Sequence, residues 1–129
     1  MESLENCELI LDIEMIESIT GPIPHFEILF VDSKEKKYKL IFNSVWDMRY
    51  SIENANISRF IEFRKRLPVG IIDNGIYVVK DSKYIKYFNY QAGGTRPIDE
   101  LTHYAVSDRY DIHIDLLVDM HKPVLVPLE

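Results

Sequence analysis

Asp111-Ile112-His113-Ile114-Asp115-Leu116-Leu117-Val118 changes chemistry at almost every second residue. Ile112, Ile114, Leu116 and Val118 fall on one side of an extended chain, and Asp111, His113 and Asp115 on the other, which is the pattern of a strand. A strand with one polar face belongs to an antiparallel sheet, because strands of a parallel sheet are covered on both sides and read as apolar runs. His103 to Val106 is a second extended run. Ser107-Asp108-Arg109-Tyr110 between the two is a turn, so together they predict a hairpin.

The same period recurs upstream. Leu9, Leu11, Ile13 and Met15 alternate with acidic residues and predict a half-buried strand over 7–17. Gly21-Pro22-Ile23-Pro24 breaks it, since proline cannot donate to a ladder. Phe26 to Asp32 and Tyr38 to Phe42 form a hairpin across Ser33-Lys34-Glu35-Lys36. Val45 to Ile52 also reads as a strand, with Trp46, Met48, Tyr50 and Ile52 opposite Asp47, Arg49, Ser51 and Glu53; a helix beginning near Asp47 competes. Ile57, Phe60, Ile61 and Arg64 recur at helical spacing and predict a helix over 54–66, stopped by Pro68 and Gly70, although Phe60 and Arg64 against Ile61 and Phe63 also fit a strand. After the turn Asp73-Asn74-Gly75 comes a short strand, Ile76 to Val79. Ser82 is placed to cap a helix over Tyr84 to Gln91, and Gly93-Gly94 to end it. Pro123 and Pro127 assign the tail to a sheet edge. The order β-β-β-β-α-β-α-β-β predicts a single α+β domain over residues 1–129, mainly antiparallel, with about six to seven strands and two helices.

Composition narrows the class. The chain has 129 residues, 47% of them apolar, and one cysteine. Disorder and a disulfide scaffold are both excluded, and Cys7 is expected to be a buried, inert thiol. No basic or apolar leader precedes Cys7 and no run is long enough to span a bilayer, so the cytosol is the expected location, with no membrane partner and no cofactor implied. The net charge of −6 is unevenly spread. Residues 1–33 carry −8, residues 34–96 carry +7 and residues 97–129 carry −5. Terminal segments lying side by side would form a negative face that attracts basic partners and repels nucleic acid; the alternative is an acidic surface that only keeps the chain in solution.

Asp111, His113 and Asp115 are the sharpest chemical candidates. Two carboxylates flanking an imidazole suit a divalent metal, with His103 as a further ligand, or a histidine whose tautomer a carboxylate fixes. Against this, same-face neighbours on a strand lie roughly 7 Å apart, too far for three to hold one ion, and a solvated strand face is the simpler explanation. Asp47, Arg49, Ser51 and Glu53, with Arg59, suggest either a salt-bridge ladder or a charged ridge for a partner. On the helix over 84–91, Tyr84, Tyr87, Phe88 and Gln91 share one stripe, so some of these rings are expected in the core, whereas Tyr90 lies off it and should be partly exposed among lysines, as at a protein interface. His25 has no visible partner. No phosphate-binding loop, dinucleotide fingerprint, nucleophile elbow or zinc pair is present.

From Trp46 to Leu117 the chain resembles small bacterial immunity proteins, the antidotes encoded beside polymorphic or contact-dependent toxins. The residues that carry the likeness are Trp46-Asp47-Met48-Arg49, Glu53-Asn54-Ala55, Arg59-Phe60, Tyr84-Ile85, Gly94-Thr95, His103-Tyr104 and Asp115-Leu116-Leu117. The resemblance implies a non-enzymatic inhibitor that occupies the surface of a cognate toxin, such as a basic nuclease. Binding would run through acidic and aromatic surface residues, of which Asp12, Glu14, Tyr90, Asp111 and Asp115 are the expected contacts. Two other classes stay open: a metal-binding protein or metal-assisted hydrolase built on Asp111, His113 and Asp115, and a module that forms a homodimer through a sheet edge.

Overall fold

The computed structural model describes residues 2–52, 74–91, 93, 100–110 and 112–128. Its elements in chain order are β1 (Ser3–Asn6), β2 (Met15–Thr20), β3 (Phe26–Val31), β4 (Lys37–Phe42), β5 (Val45–Ile52), β6 (Ile76–Lys80), α1 (Lys83–Gln91), β7 (Leu101–Ser107), β8 (Ile112–Asp119) and β9 (Val124–Pro127). The strands form two antiparallel sheets, one ordered β1-β6-β7-β8-β5 and the other β2-β3-β4-β9. The mainly antiparallel architecture expected from the alternation is present, with nine strands among the described residues where six or seven were expected. One helix lies among the described residues; the helix expected over 54–66 lies outside them.

The two sheets share one apolar core. Ile16, Phe26, Ile28, Phe30, Leu40 and Phe42 enter it from the four-stranded sheet, and Val45, Ile76, Tyr104, Val106, Ile114, Leu116 and Val118 from the five-stranded one. Phe42 meets Tyr104 between them, ring centroids 5.6 Å apart. Burying such side chains contributes roughly 1.5–3 kcal/mol each against the conformational entropy lost on folding.

Three expectations need correction. Residues 7–14 are not a strand. Leu11 and Ile13 are buried as their alternation requires, but the backbone is held by scattered bonds, Ile13 N–H to Asn74 O (3.2 Å) and Glu14 N–H to Val31 O (2.9 Å). Asn74-Gly75 is correspondingly more than a turn. The Asn74 amide donates to Ile13 O and to Asp12 Oδ1, and a Cβ on Gly75 would sit 2.8 Å from Leu11 O, so glycine is required for that close approach. Second, the termini do not lie side by side: β1 pairs with β6 and β9 pairs with β4. The tail does form an edge strand, as its prolines indicated.

Third, Trp46 does not share a face with Met48. Val45 pairs with Val118 and Asp47 with Leu117, so Trp46 is the extra residue of a bulge. The bulge returns Val45 to the core while Asp47, Arg49 and Ser51 take the outer face of the five-stranded sheet. Trp46 then meets Phe88 of α1, ring centroids 6.1 Å apart.

A buried relay and an exposed aromatic face

The outer face of the five-stranded sheet carries His103 and Ser107 on β7 and His113 and Asp115 on β8. None of them is solvated: Asp115 is 0%, His103 1%, His113 3% and Ser107 8% exposed. The expectation of a solvated polar face is therefore overturned, and Asp115, expected as a contact residue, has no exposed surface. The five-residue chain of contacts runs Ser82, His103, Asp115, His113, Ser107. Ser82 Oγ lies 2.7 Å from His103 Nδ1, and His103 Nε2 lies 2.7 Å from Asp115 Oδ1. From the other side, Ser107 Oγ lies 2.7 Å from His113 Nδ1, and His113 Nε2 is 3.3 Å from the same carboxylate.

The bonding pattern sets the proton positions. A carboxylate only accepts, so both Nε2 atoms carry hydrogen; each Nδ1 of a neutral ring then accepts from a serine hydroxyl. Ser82 Oγ is used twice, since it also accepts the Ile85 N–H (3.1 Å) as the N-cap of α1. Ser, His and Asp joined in this order are the residue types that serve hydrolases as nucleophile, base and orienting acid. Here, however, Nδ1 rather than Nε2 faces the serine, the reverse of the serine-protease arrangement. Ser82 is also only 4% exposed and bound into the helix cap, so no acyl group reaches it while α1 is in place.

His103, His113 and Asp115 do come together, but as hydrogen-bonded partners and not as an open donor set. Among the described residues no group of three or more His, Cys, Asp or Glu is arranged to hold a metal. Asp111 lies outside the described residues, as do Glu53 and Arg59.

Over this relay sits Tyr84, buried at 3%, its ring edge-on to His103 with centroids 5.3 Å apart. Its hydroxyl donates to Asp47 Oδ2 at 2.7 Å. Burial first, then that bond, push the phenol well above its ordinary pKa. The Arg49 guanidinium lies 3.9 Å from the Tyr84 ring centroid and 5.5 Å from that of Tyr87. Of the charged residues expected on β5, Asp47 and Arg49 thus both answer Tyr84, one by a hydroxyl bond and one by a cation–π contact. Of the rings on the stripe Tyr84 is the buried one and Tyr87 is 55% exposed; Tyr90, off the stripe, is 76% exposed. The buried stripe of α1 is narrower than its tyrosines suggested.

The acidic candidates serve the chain itself. Asp12 accepts from Ser33 N–H (3.3 Å), from the Ser33 hydroxyl and from Asn74 Nδ2 (2.8 Å), and the Ser33 hydroxyl bond leads in holding its carboxyl below the usual range. Glu14 accepts from Arg109 Nε at 2.6 Å. Both are thus bound to neighbours of their own, and neither bonds to Tyr90. His25, read as partnerless, bridges Asn43 Oδ1 (2.8 Å) and Glu27 Oε2 (2.7 Å); Glu27 raises its pKa and is lowered in return.

A groove of ≈ 290 Å³ opens beside β1, with Cys7, Val78, Thr102 and Tyr104 among its walls and the pairs Lys80–Glu5 (3.8 Å) and Lys122–Glu8 alongside. Burial raises the pKa of the half-buried Cys7 thiol and raises that of Tyr104 to about 12, so the groove presents neutral groups near neutrality.

No helix among the described residues is long and apolar enough to cross a membrane. No protein-family model matches the chain, and neither the curated proteins nor the solved structures contain a match.

Proposed function

We propose that the chain is a non-enzymatic, protein-binding domain, an immunity-type inhibitor that neutralises a toxin by occupying its surface. The observation that supports it is the exposed face of α1. Tyr87 and Tyr90 stand out from a helix whose base is anchored by Tyr84, the Ser82 cap and the relay beneath. Tyrosine and arginine on a rigid support are the residue types that dominate interface energetics, because they bring large contact area at small entropic cost. The partner class rests on the resemblance between residues 46–117 and immunity proteins. The contact surface moves from the acidic residues to the aromatic face, since Asp12 and Glu14 already have internal partners. Co-expression with the products of the adjacent genes tests this: stoichiometric 1:1 capture of one of them supports the reading, and capture of none removes it.

A second reading, hydrolysis, is favoured by the order Ser82–His103–Asp115 alone. It requires α1 to lift from the sheet, and it would gain support if a fluorophosphonate probe labelled Ser82 in the folded protein.

A further inference from the structure

Arg49 is held against two aromatic rings, and among the described residues no carboxylate takes up its hydrogen-bonding edge. Its guanidinium lies over the Tyr84 ring at 3.9 Å and beside the Tyr87 ring at 5.5 Å. The residue is exposed, and among the described residues no carboxylate lies within ion-pair distance of it. Its nearest same-face neighbours spend their acids elsewhere: Asp47 accepts the Tyr84 hydroxyl, and Asp115, its register partner on β8, is sealed among imidazoles. An arginine stacked by its face keeps five N–H donors in its plane, a fork that matches a planar anion bidentately. Stacking also removes much of the side-chain freedom that binding would otherwise cost.

We infer that Arg49, framed by Tyr84 and Tyr87, is a receptor for a single carboxylate presented by a protein partner, an inference that rests on the protein-binding reading above. The choice of a carboxylate over a nucleic-acid backbone follows from the surrounding charge. A phosphate chain needs a row of free cations. Here Lys86 is paired with Asp81 at 2.6 Å and Lys80 with Glu5, within a chain of net charge −6. One fork suits one acidic side chain, inserted beside the exposed Tyr87 ring, which supplies the apolar rim that excludes water around a charged contact.

The test follows the Arg49 Nε–H resonance of the full chain in 1H–15N spectra during titration with N-acetyl-glutamyl-phenylalanine amide. The glutaminyl counterpart and inorganic phosphate serve as the other two arms. Saturable shifts with the glutamyl peptide, a dissociation constant on the order of 1 mM and no response to the glutaminyl peptide are expected. Arg49→Lys, which keeps the charge but loses the fork, should bind about tenfold more weakly. Tyr87→Leu, which removes only an exposed ring, should weaken binding while leaving the melting temperature unchanged. Equal shifts with the glutaminyl peptide, tighter binding of phosphate than of the glutamyl peptide, or undiminished binding in Arg49→Lys would each overturn the assignment. The two readings fail separately: capture of no neighbouring gene product removes the protein-binding function even where the peptide binds, whereas a silent Arg49 removes the carboxylate site even where a partner is captured.

Discussion

Asp115 has no exposed surface, so its carboxylate stands or falls on the donors around it. Two imidazole N–H groups bond to it, and Asp115→Ala would remove this shared acceptor from a buried place. The expected loss is on the order of 3 kcal/mol in chemical denaturation. Asp12 makes a different prediction because it lies nearer the surface. Its folded pKa is lowered, by the Ser33 hydroxyl first, so the ionised form is the one the fold prefers. Its contribution is present above the unfolded pKa of about 4 and is lost as pH falls through the folded value. Asp12→Asn should therefore cost about 1 kcal/mol near neutrality and progressively less as pH falls below about 4, read from urea midpoints across that range. Alternation along β8 was enough to put His113 and Asp115 on one face. It could not show that this face is covered, because its partners Ser82, His103 and Ser107 come from other elements and their spacing in sequence carries no signal.

Elements differ in how far local pattern determines them. Phe26 to Val31 and Lys37 to Phe42 were legible because alternation, turn and register agree, and β8 was legible for the same reason. The segment over 7–14 misled because buried alternation looks identical whether the backbone bonds to a strand or to the Asn74-Gly75 clasp. The bulge at Trp46 was invisible for a related reason: inserting one residue changes which side chains face the core without changing any of them. The cap of α1 was legible at Ser82, but its second bond to His103 was not. Ser82→Ala removes both bonds at once, and the expected cost is about 2 kcal/mol, more than a cap alone contributes. Trp46 reports on it, since its ring contacts Phe88 of α1, and its emission should shift before the global transition in the variant but not in the wild type.

Charge at the scale of the whole molecule reads differently from charge along the chain. The acidic first quarter of the sequence faces basic residues from elsewhere in the chain: Glu17 meets Lys37 at 3.5 Å, Glu27 meets Lys39 at 3.4 Å, Glu5 meets Lys80 and Glu14 meets Arg109. Segregation in sequence becomes mixing in space, which is why the coherent negative face expected from the segment charges does not form at these positions. Such surface pairs contribute about 0–1 kcal/mol each, so the shared core and the relay carry the stability. At high pH the same molecule should fail through its buried phenols. Tyr104, raised to about 12, favours the neutral form in the fold. Its contribution is intact below the unfolded pKa of about 10 and is lost as pH rises towards 12, so stability should fall across that window in denaturation followed at stepped pH.

Function turns on where a partner docks, and one titration decides it. The captured neighbour is titrated calorimetrically into the wild type, the Tyr87→Ala/Tyr90→Ala chain and Glu14→Gln. Docking through the aromatic face predicts a loss of at least about 2 kcal/mol for the double variant, roughly thirtyfold in affinity, with Glu14→Gln near the wild type. Full affinity in the double variant, with the loss appearing in Glu14→Gln instead, would contradict it.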